Sequence, residues 1–402
     1  MRDWLTHHDP RRVFIETPSE SLTFGEIADA VNDRPVDGTE VLHPALDVGS
    51  VIDLLAVMSK GSAVITGDLA ETGSMYPGPI DPAVATSVVF TSGSTGRRKG
   101  VRLTGDNWEA AADASMEHLG HGPADTWLLA LPLHHVAGLS ILVRSAYSGG
   151  AVRLLPGFDP VSFATHLRRG VTVASLVPTM LLRVLAVDPG PYDGLKALLL
   201  GGGPIPDSLL DQAGAAGLPV LPTYGLTETA GQVATLKPGA PLENKAHPLP
   251  GVLLRIGPDD RISVRGPMVS RGYVGEPDRN ANDWFVTGDL GTIDSDGALL
   301  VTGRADTIIV SGGENIDPAL VEAALVQLSG VDEALVSAVA SETWGMETVC
   351  LYVGEANPAI VEAELRALLP GFMIPKRWLQ VADLPRTPLG KPDRSGAARY
   401  FS

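Results

Sequence analysis

Five short apolar runs, each five or six residues long and separated by helix-like stretches, constrain the fold of this chain more than any other feature. They are Trp127–Leu131, Ala151–Leu155, Thr172–Leu176, Leu195–Leu200 and Pro219–Thr223. Runs of this length are typical of buried strands, and their alternation with helices favours parallel sheets covered by helices. Residues 250 to 302 differ, because short β-like runs and turn pairs such as Asp296-Gly297 indicate a small antiparallel or barrel-like unit. The chain is therefore predicted to be an α/β protein.

A second, smaller domain is predicted after Arg304. A chain of 402 residues exceeds what one hydrophobic core usually supports. The last part of the chain shows a compact α+β pattern of about a hundred residues, the size of a small domain. Its predicted elements are strands at Thr307–Val310, Glu333–Val339 and Thr348–Val353, and helices at Asp317–Leu328 and Pro358–Leu369. We therefore expect an N-terminal domain over residues 1–303 and a C-terminal domain over residues 304–402.

The stretch Thr91–Val101, TSGSTGRRKGV, follows an apolar run and has the composition of a phosphate-binding loop. Its glycines permit a wrapping backbone, while its hydroxyls and N–H groups supply donors to phosphate oxygens. It is not a Walker A loop, because Lys99 lies between Arg98 and Gly100. The predicted phosphate contacts are Thr91, Ser92, Gly93, Ser94, Thr95, Gly96 and Lys99.

Composition narrows the class of ligand. Thirty basic against forty-seven acidic residues give a net charge of -17, which argues against a nucleic-acid partner. The single cysteine, Cys350, lies in the apolar run TVCLYV, so we expect it to be buried, with no disulfide and no zinc site. No signal-peptide pattern and no membrane-length apolar run occur in the sequence, so cytoplasmic localisation without membrane insertion is expected.

Further motifs follow the loop in order. LLLGGGPIP carries Gly201, Gly202 and Gly203 at the end of an apolar run, where a flat base could lie against the backbone. YGLTETAGQ places the aromatic ring of Tyr224, the hydroxyl of Thr227 and the carboxylate of Glu228 within five positions. TGDL and GRAD then supply Asp289, Arg304 and Asp306.

In this order the motifs resemble those of the adenylate-forming superfamily, which comprises acyl- and aryl-CoA synthetases, carrier-loading adenylation domains and luciferases. The resemblance runs from Leu22 to Asp393 and implies that the phosphate loop and Gly201–Gly203 bind ATP. It also implies that Tyr224 stacks on adenine, that Thr227 contacts phosphate and that Glu228 holds Mg²⁺. Asp289 and Arg304 would bind the ribose. Oxygen ligands beside a triphosphate suit a hard cation.

The resemblance also predicts how the two domains share a two-step reaction. A carboxylate would attack the α-phosphate of ATP, and the thiol of coenzyme A would then displace AMP. Lys391, in LPRTPLGKPD, would meet the carboxylate and the α-phosphate, while Gly312 and Gly313, in SGGE, would line the pantetheine channel. Asp306 would be the hinge on which a mobile C-terminal domain turns. The part of the chain before the phosphate loop is shorter than is usual in this superfamily.

The acid is predicted from LPLHHVAGLS and VPTML, which together with TETAGQ resemble the branch that activates o-succinylbenzoate in menaquinone biosynthesis. The predicted substrate-binding residues are His135, Ser140, Thr179 and Gln232. This acid has two carboxylates, and we expect neutral hydrogen-bonding groups, chiefly His135 and Thr179, to bind the one that is not activated. We expect His134 to be a packed or capping neighbour and Arg144 to extend to solvent.

Two other functions stay open. One is activation of another aryl or acyl acid, including the loading of a carrier protein. The other is a catalytically silent relative that only binds nucleotide, although the presence of both Glu228 and Lys391 speaks against it. The sequence leaves the oligomeric state open, with a homodimer among the options.

Overall fold

The computed structural model describes residues 4–65, 80–81, 83–91, 99–386 and 392–401, without the side chain of Ser395. It confirms the α/β class. Within these residues, no helix is both long and apolar enough to cross a bilayer. The helices are α1 (Phe24–Asp33), α2 (Val48–Lys60), α3 (Gly105–Leu119), α4 (Val136–Ser148), α5 (Pro160–Leu167), α6 (Pro178–Val187), α7 (Asp207–Ala215), α8 (Pro318–Leu325), α9 (Pro358–Leu368) and α10 (Arg394–Ala398).

The largest sheet has nine strands. They are β1 (Val13–Glu16), β2 (Ser21–Thr23), β7 (Thr126–Leu129), β8 (Ala151–Leu154), β9 (Val173–Leu176), β10 (Ala197–Leu200), β11 (Val220–Leu226), β12 (Gly231–Thr235) and β13 (His247–Pro248). Their spatial order is β13-β12-β11-β10-β9-β7-β8-β1-β2. The five strands predicted from apolar runs lie together in its centre and pair in parallel. The antiparallel strands β2, β12 and β13 at the two edges were not predicted.

A four-stranded sheet carries the predicted phosphate loop. Its strands, in spatial order, are β3 (Thr39–Leu42), β4 (Ser62–Ile65), β5 (Ser87–Phe90) and β6 (Gly100–Leu103). The last two are antiparallel, so the loop joins adjacent strands. The N–H of Thr91 donates to the carbonyl of Lys99 over 3.0 Å, which closes the base of the loop.

Helix α3 begins one residue after β6 with a reciprocal cap. Thr104 Oγ1 accepts from the N–H of Asn107, and Asn107 Oδ1 accepts from the N–H of Thr104. Such caps contribute about 1 kcal/mol to a helix. The helix is fixed to the loop sheet by Trp108, which is buried and donates Nε1–H to Ser87 Oγ over 2.9 Å. Capping and burial together hold the chain in place directly after the loop.

Residues 253–304 form the predicted antiparallel unit. Its four strands are β14 (Leu253–Ile256), β15 (Arg261–Arg265), β16 (Phe285–Ile293) and β17 (Leu299–Arg304). The predicted turn at Asp296-Gly297 is confirmed, because Asp294 Oδ1 accepts from the N–H groups of Asp296 and Ala298, and Gly297 has a φ of 78°. The carboxylate of Asp294 thus closes the turn.

The chain after Arg304 packs around its own cores. Its strands are β18 (Ile309–Ser311), β19 (Glu314–Ile316), β20 (Glu333–Ser341), β21 (Gly345–Val353) and β22 (Arg377–Gln380). The core residues of this part, which include the buried Cys350 as predicted, lie between Ile316 and Phe401. The two larger cores end at Leu299 and at Val220. The boundary at residue 303 stays a prediction, although no core formed by the described residues includes members from both sides of it.

Candidate active site

Tyr224, Asp289 and Arg304 form one hydrogen-bonded set. The hydroxyl of Tyr224, on β11, donates to Asp289 Oδ2 over 2.8 Å. Arg304 Nη1, at the end of β17, donates to Oδ1 of the same carboxylate over 3.0 Å. Pairing of β16 with β17 sets Asp289 directly opposite Arg304. The structure thus brings together three residues that the sequence assigned separately to adenine and ribose, and their ligand contacts stay predictions.

The set has an unusual electrostatic environment. Burial raises the pKa of Asp289, against the opposing effect of its Tyr224 and Arg304 partners. Burial, together with the nearby Asp289 charge, also raises the pKa of Tyr224, so the phenol remains a hydrogen-bond donor. Arg304 additionally donates Nε–H to Asp306 over 3.0 Å. One guanidinium therefore links the candidate ribose site to the predicted hinge.

The glycines after β10 lie close to neighbouring backbone and carry no side chain of their own. A Cβ on Gly201 would lie 2.6 Å from the carbonyl oxygen of Thr223, so a side chain there would displace the neighbouring strand. Gly202 has a φ of 77°, a conformation that favours glycine. The local packing thus requires glycine at these two positions, and the close approach of a flat ligand to Gly201, Gly202 and Gly203 stays a prediction.

Thr227 and Glu228 lie on a 3₁₀ turn, Thr227–Thr229, directly after β11. Glu228 is half-buried, and its Oε1 accepts from the hydroxyl of Tyr273 over 2.7 Å. No hydrogen bond to its Oε2 occurs among the described residues, so one carboxylate oxygen is available to a cation. The described residues contain no cluster of three or more His, Cys, Asp or Glu suited to a metal. A single carboxylate fits Mg²⁺ held largely by nucleotide phosphates.

The phosphate loop is described only at its two ends. Lys99 Nζ lies 4.5 Å from the centre of the Tyr273 ring and 3.8 Å from Glu276 Oε1. The N–H of Lys99 donates to Thr91 Oγ1 over 3.3 Å, which adds a second contact at the base of the loop. The predicted contacts Ser92, Gly93, Ser94, Thr95 and Gly96, and the predicted catalytic Lys391, lie outside the described residues.

Gly312 and Gly313 form the exposed turn between β18 and β19. Gly312 donates its N–H to the carbonyl of Trp344, and a Cβ on Gly312 would lie 2.7 Å from the Trp344 ring. The indole is 43% exposed and lies 5.1 Å from Lys376 Nζ. The turn therefore lies against an indole ring that also contacts the ammonium group of Lys376. Its role in the CoA channel stays a prediction.

Two of the predicted acid-binding residues lie at the N-termini of helices, and the other two are buried. His135 is the N-cap residue of α4, and Thr179 lies in the first turn of α6, with both side chains exposed. The cap position thus falls to His135 and not to His134. Gln232 is buried, where it accepts from Ser115 Oγ over 3.2 Å and donates to Thr235 Oγ1. Both ends of its amide already have protein partners, so its contact with substrate stays a prediction.

The expectation that Arg144 extends to solvent is wrong. Arg144 is only 3% exposed, and its Nε and Nη2 have no hydrogen-bond partner within the described part of the chain. A Cβ placed on Gly231 would lie 3.5 Å from both Arg144 Nη2 and the side chain of Ser140, so the guanidinium lies beside the start of β12. The reason is that α4 is buried on all sides from Gly138 to Ala146. A side chain in its third turn is therefore covered by neighbouring residues.

Two further residues were missed. Tyr273 is 45 positions from Glu228, and no local motif predicts that contact. His121 is buried beside Trp127, with ring centres 5.2 Å apart. Burial, with Arg144 nearby, lowers the pKa of His121 to about 4. The mostly apolar pattern of VAGLSILV could have indicated the buried surroundings of Arg144, but not the identity of its neighbours.

The fold and site define a nucleotide-binding α/β protein with a separate C-terminal unit. A family model described as AMP-binding enzyme matches residues 1–274, and one described as AMP-binding enzyme C-terminal domain matches residues 320–391. The chain belongs to the AMP-binding enzyme family.

Relatives with assigned functions agree with this membership. The 2-succinylbenzoate--CoA ligase of Geobacillus kaustophilus is 40% identical over 327 residues, covering 75% of this chain and 66% of the relative. The enzyme of the same name from Listeria monocytogenes serotype 4b is 35% identical over 372 residues, covering 89% and 78%. The chain thus spans from about two thirds to about four fifths of the length of these two relatives.

Solved structures share the fold over nearly the whole chain. The o-succinylbenzoate CoA synthetase of Bacillus subtilis, in complex with its acyl-adenylate intermediate, has a TM-score of 0.86 at 27% identity and covers 98% of this chain and 97% of its own. The same enzyme with ATP and magnesium ion has a TM-score of 0.84 at 28% identity, with 98% of both chains covered. ATP-bound MatB from Rhodopseudomonas palustris, at 22% identity and a TM-score of 0.82, shows the fold alone; it covers 100% of this chain and 98% of its own.

Proposed function

We propose that this chain is an AMP-forming acid:CoA ligase that converts o-succinylbenzoate into its CoA thioester for menaquinone biosynthesis. Family membership and the names of its relatives support the reaction class. The single observation that carries the choice of acid is the buried guanidinium of Arg144, whose Nε and Nη2 have no hydrogen-bond partner in the described part of the chain. Its use of ATP and CoA suits a cytoplasmic enzyme, and a homodimer stays an option.

The reaction has two balanced steps. An oxygen of the succinyl carboxylate attacks the α-phosphorus of ATP, the bond to the β-phosphate oxygen breaks, and pyrophosphate leaves. The CoA thiol, losing its proton to solvent, then attacks the acyl carbon and AMP leaves with the electrons of the acyl–oxygen bond. Both carboxylate and triphosphate are anionic, and two unit charges 4 Å apart repel by about 4 kcal/mol at an effective dielectric near 20. Lys99, Lys391 and a magnesium ion on Glu228 would offset this repulsion.

The substrate's other carboxylate, on the benzene ring, remains ionised during both steps and needs a partner. Burial lowers the pKa of Arg144 to about 10, which still leaves the guanidinium charged at neutral pH. A buried ion without a counter-ion costs several kcal/mol. A carboxylate bound in front of Nε and Nη2 would remove that cost and satisfy both orphan donors.

We therefore assign the ring carboxylate to Arg144, in place of the neutral hydrogen bonds from His135 and Thr179 that the sequence predicted. Arg144 lies nine residues after His135, about 13 Å along an ideal helix axis. The two side chains would therefore border opposite ends of the acid. Within this arrangement His135 and Thr179 would border the end that is activated, while Ser140 would lie beside the ring carboxylate.

We also propose that residues 304–402 move as a unit about Asp306. The carboxylate of Asp306 is held by Arg304, which also contacts Asp289. A rotation there would change the link between the nucleotide site and the C-terminal unit. This motion would carry Lys391 away and bring the Gly312-Gly313 turn toward the acyl-adenylate.

The experiment is to measure AMP release and thioester formation across a panel of acids with ATP and CoA. We expect o-succinylbenzoate to give the highest kcat/KM. A higher value for benzoate, malonate or a fatty acid would assign another acid. Transfer to a phosphopantetheinyl carrier protein but not to CoA would make the chain a carrier-loading domain, and no pyrophosphate exchange with any acid would make it catalytically silent.

A further inference from the structure

Tyr273 connects the two ends of the candidate phosphate site. The segment around it runs beside β6, where Val101 and Tyr273 form an antiparallel bridge and the N–H of Val274 donates to the carbonyl of Gly100 over 2.8 Å. These contacts place the phenol immediately next to the C-terminal end of the phosphate loop. Its position is therefore set by backbone pairing, independently of its side-chain contacts.

The phenol makes two different contacts. Its hydroxyl donates to Glu228 Oε1 over 2.7 Å, and its ring lies 4.5 Å from Lys99 Nζ. A second bond fixes the backbone of the same carboxylate residue, because the N–H of Ser270 donates to the carbonyl of Glu228 over 2.7 Å. Within the described residues, Lys99 is ion-paired to Glu276 and not to Glu228.

We propose that Tyr273 is a positioning residue that orients Glu228 toward a divalent cation and keeps Lys99 from neutralising it. A hydroxyl bonded to Oε1 restricts rotation of the carboxylate and leaves Oε2 for the cation. The ring face holds the ammonium group by a cation–π contact. An ion pair between Lys99 and Glu228 would leave the divalent cation without its carboxylate ligand. It would also leave the phosphates without the positive charge of Lys99.

This inference rests on the proposed use of ATP with a divalent cation, but not on the identity of the acid. Tyr273→Phe separates the two contacts, since it keeps the ring and removes the hydroxyl. Tyr273→Leu removes both. Tyr400→Phe is the matched control, because Tyr400 is 51% exposed and lies outside the site.

The measurement is Mn²⁺ binding to the protein with saturating ATP, followed by electron paramagnetic resonance without acid or CoA. For Tyr273→Phe we expect the Mn²⁺ dissociation constant to rise about tenfold, as is typical for loss of a partner behind a metal ligand. ATP affinity in EDTA should be unchanged in this variant and about threefold weaker in Tyr273→Leu, which also loses the cation–π contact. Tyr400→Phe should match the wild type.

A double-mutant cycle with Glu228→Gln guards against a general folding defect. If Tyr273 acts through Glu228, adding Tyr273→Phe to Glu228→Gln should cause no further loss of Mn²⁺ affinity. Three outcomes would overturn the inference. Tyr273→Phe could bind Mn²⁺ as tightly as the wild type, the double variant could show an additive loss of Mn²⁺ affinity, or Tyr273→Phe could lose as much affinity for ATP in EDTA as it loses for Mn²⁺. Absence of Mn²⁺·ATP binding by the wild type would overturn the proposed function as well, so the two failures are distinct.

Discussion

The hydroxyl of Tyr224 and the carboxylate of Asp289 lie 2.8 Å apart, although 65 residues separate them in the chain. One comes from the parallel sheet and the other from the antiparallel unit that follows it. This bond ties the ring proposed to stack on adenine to the carboxylate proposed to bind ribose. On that proposal, the nucleotide binds only while the two units keep this relative position.

Tyr224→Phe should raise KM for ATP about tenfold while changing kcat less. The ring remains for stacking, but a hydrogen bond to a charged group, worth about 1.5–3 kcal/mol, is lost. Steady-state kinetics with varied ATP measure the effect. An unchanged KM for ATP would mean that the bond does not organise the nucleotide site.

Lys391→Ala should lower the rate of acyl-adenylate formation by more than about a hundredfold, because one charge at the reacting phosphate is lost. Thioester formation from pre-made acyl-adenylate should be largely retained, since Lys391 is proposed to leave the site before that step. Single-turnover assays of each half-reaction separate the two. An equal loss in both would contradict this division of labour.

Asp306→Pro should retain adenylate formation but slow transfer to CoA, because proline fixes φ near −65° and restricts the proposed hinge. Asp306→Ala is the matched control, as it removes the carboxylate bonded to Arg304 without restricting the backbone. Pyrophosphate exchange and thioester formation are measured for both variants. Normal thioester turnover in the proline variant would place the hinge elsewhere.

His121 makes the stability of the larger unit depend on pH. Its pKa is about 4 in the folded chain against an ordinary value of 6.5, so the unfolded chain binds more protons between these values. The free energy of unfolding should therefore fall by about 3 kcal/mol as the pH decreases from 7 to 4. In His121→Gln, the loss of unfolding free energy between pH 7 and pH 4 should be smaller than in the wild type by about 3 kcal/mol. Urea unfolding followed by tryptophan fluorescence measures it, and identical pH dependence in the variant would disprove the assignment.

The sequence predicts those parts of the fold whose signal is local. Runs such as Trp127–Leu131 are apolar because both faces of their strands are covered, and the structure confirms five of them as adjacent parallel strands. Strand β12, which lies between β11 and the edge strand β13, was missed, since its first residues, Gly231 and Gln232, were interpreted as the end of a site motif. Its pairing with β11 depends on a turn at Thr227–Thr229, which no periodicity reveals.

Site residues could be predicted where they belong to one local motif. Hydrogen bonds between residues far apart in the sequence could not. Tyr224, Glu228 and Asp289 could be named individually, but the bonds from Tyr224 to Asp289 and from Tyr273 to Glu228 join separate units. Arg144 was misjudged because an arginine on a helix usually reaches water. The mostly apolar residues on every side of α4 were the contrary signal.

The most direct test of the central claim compares kcat/KM for o-succinylbenzoate with that for 4-oxo-4-phenylbutanoate, which lacks only the ring carboxylate. The wild type should prefer the diacid by at least about tenfold, or ~1.4 kcal/mol. Arg144→Met, a neutral side chain of similar length, should bring the two values close together by losing activity on the diacid alone. Equal use of both acids by the wild type, or an undiminished preference in Arg144→Met, would contradict the proposal that Arg144 binds the second carboxylate.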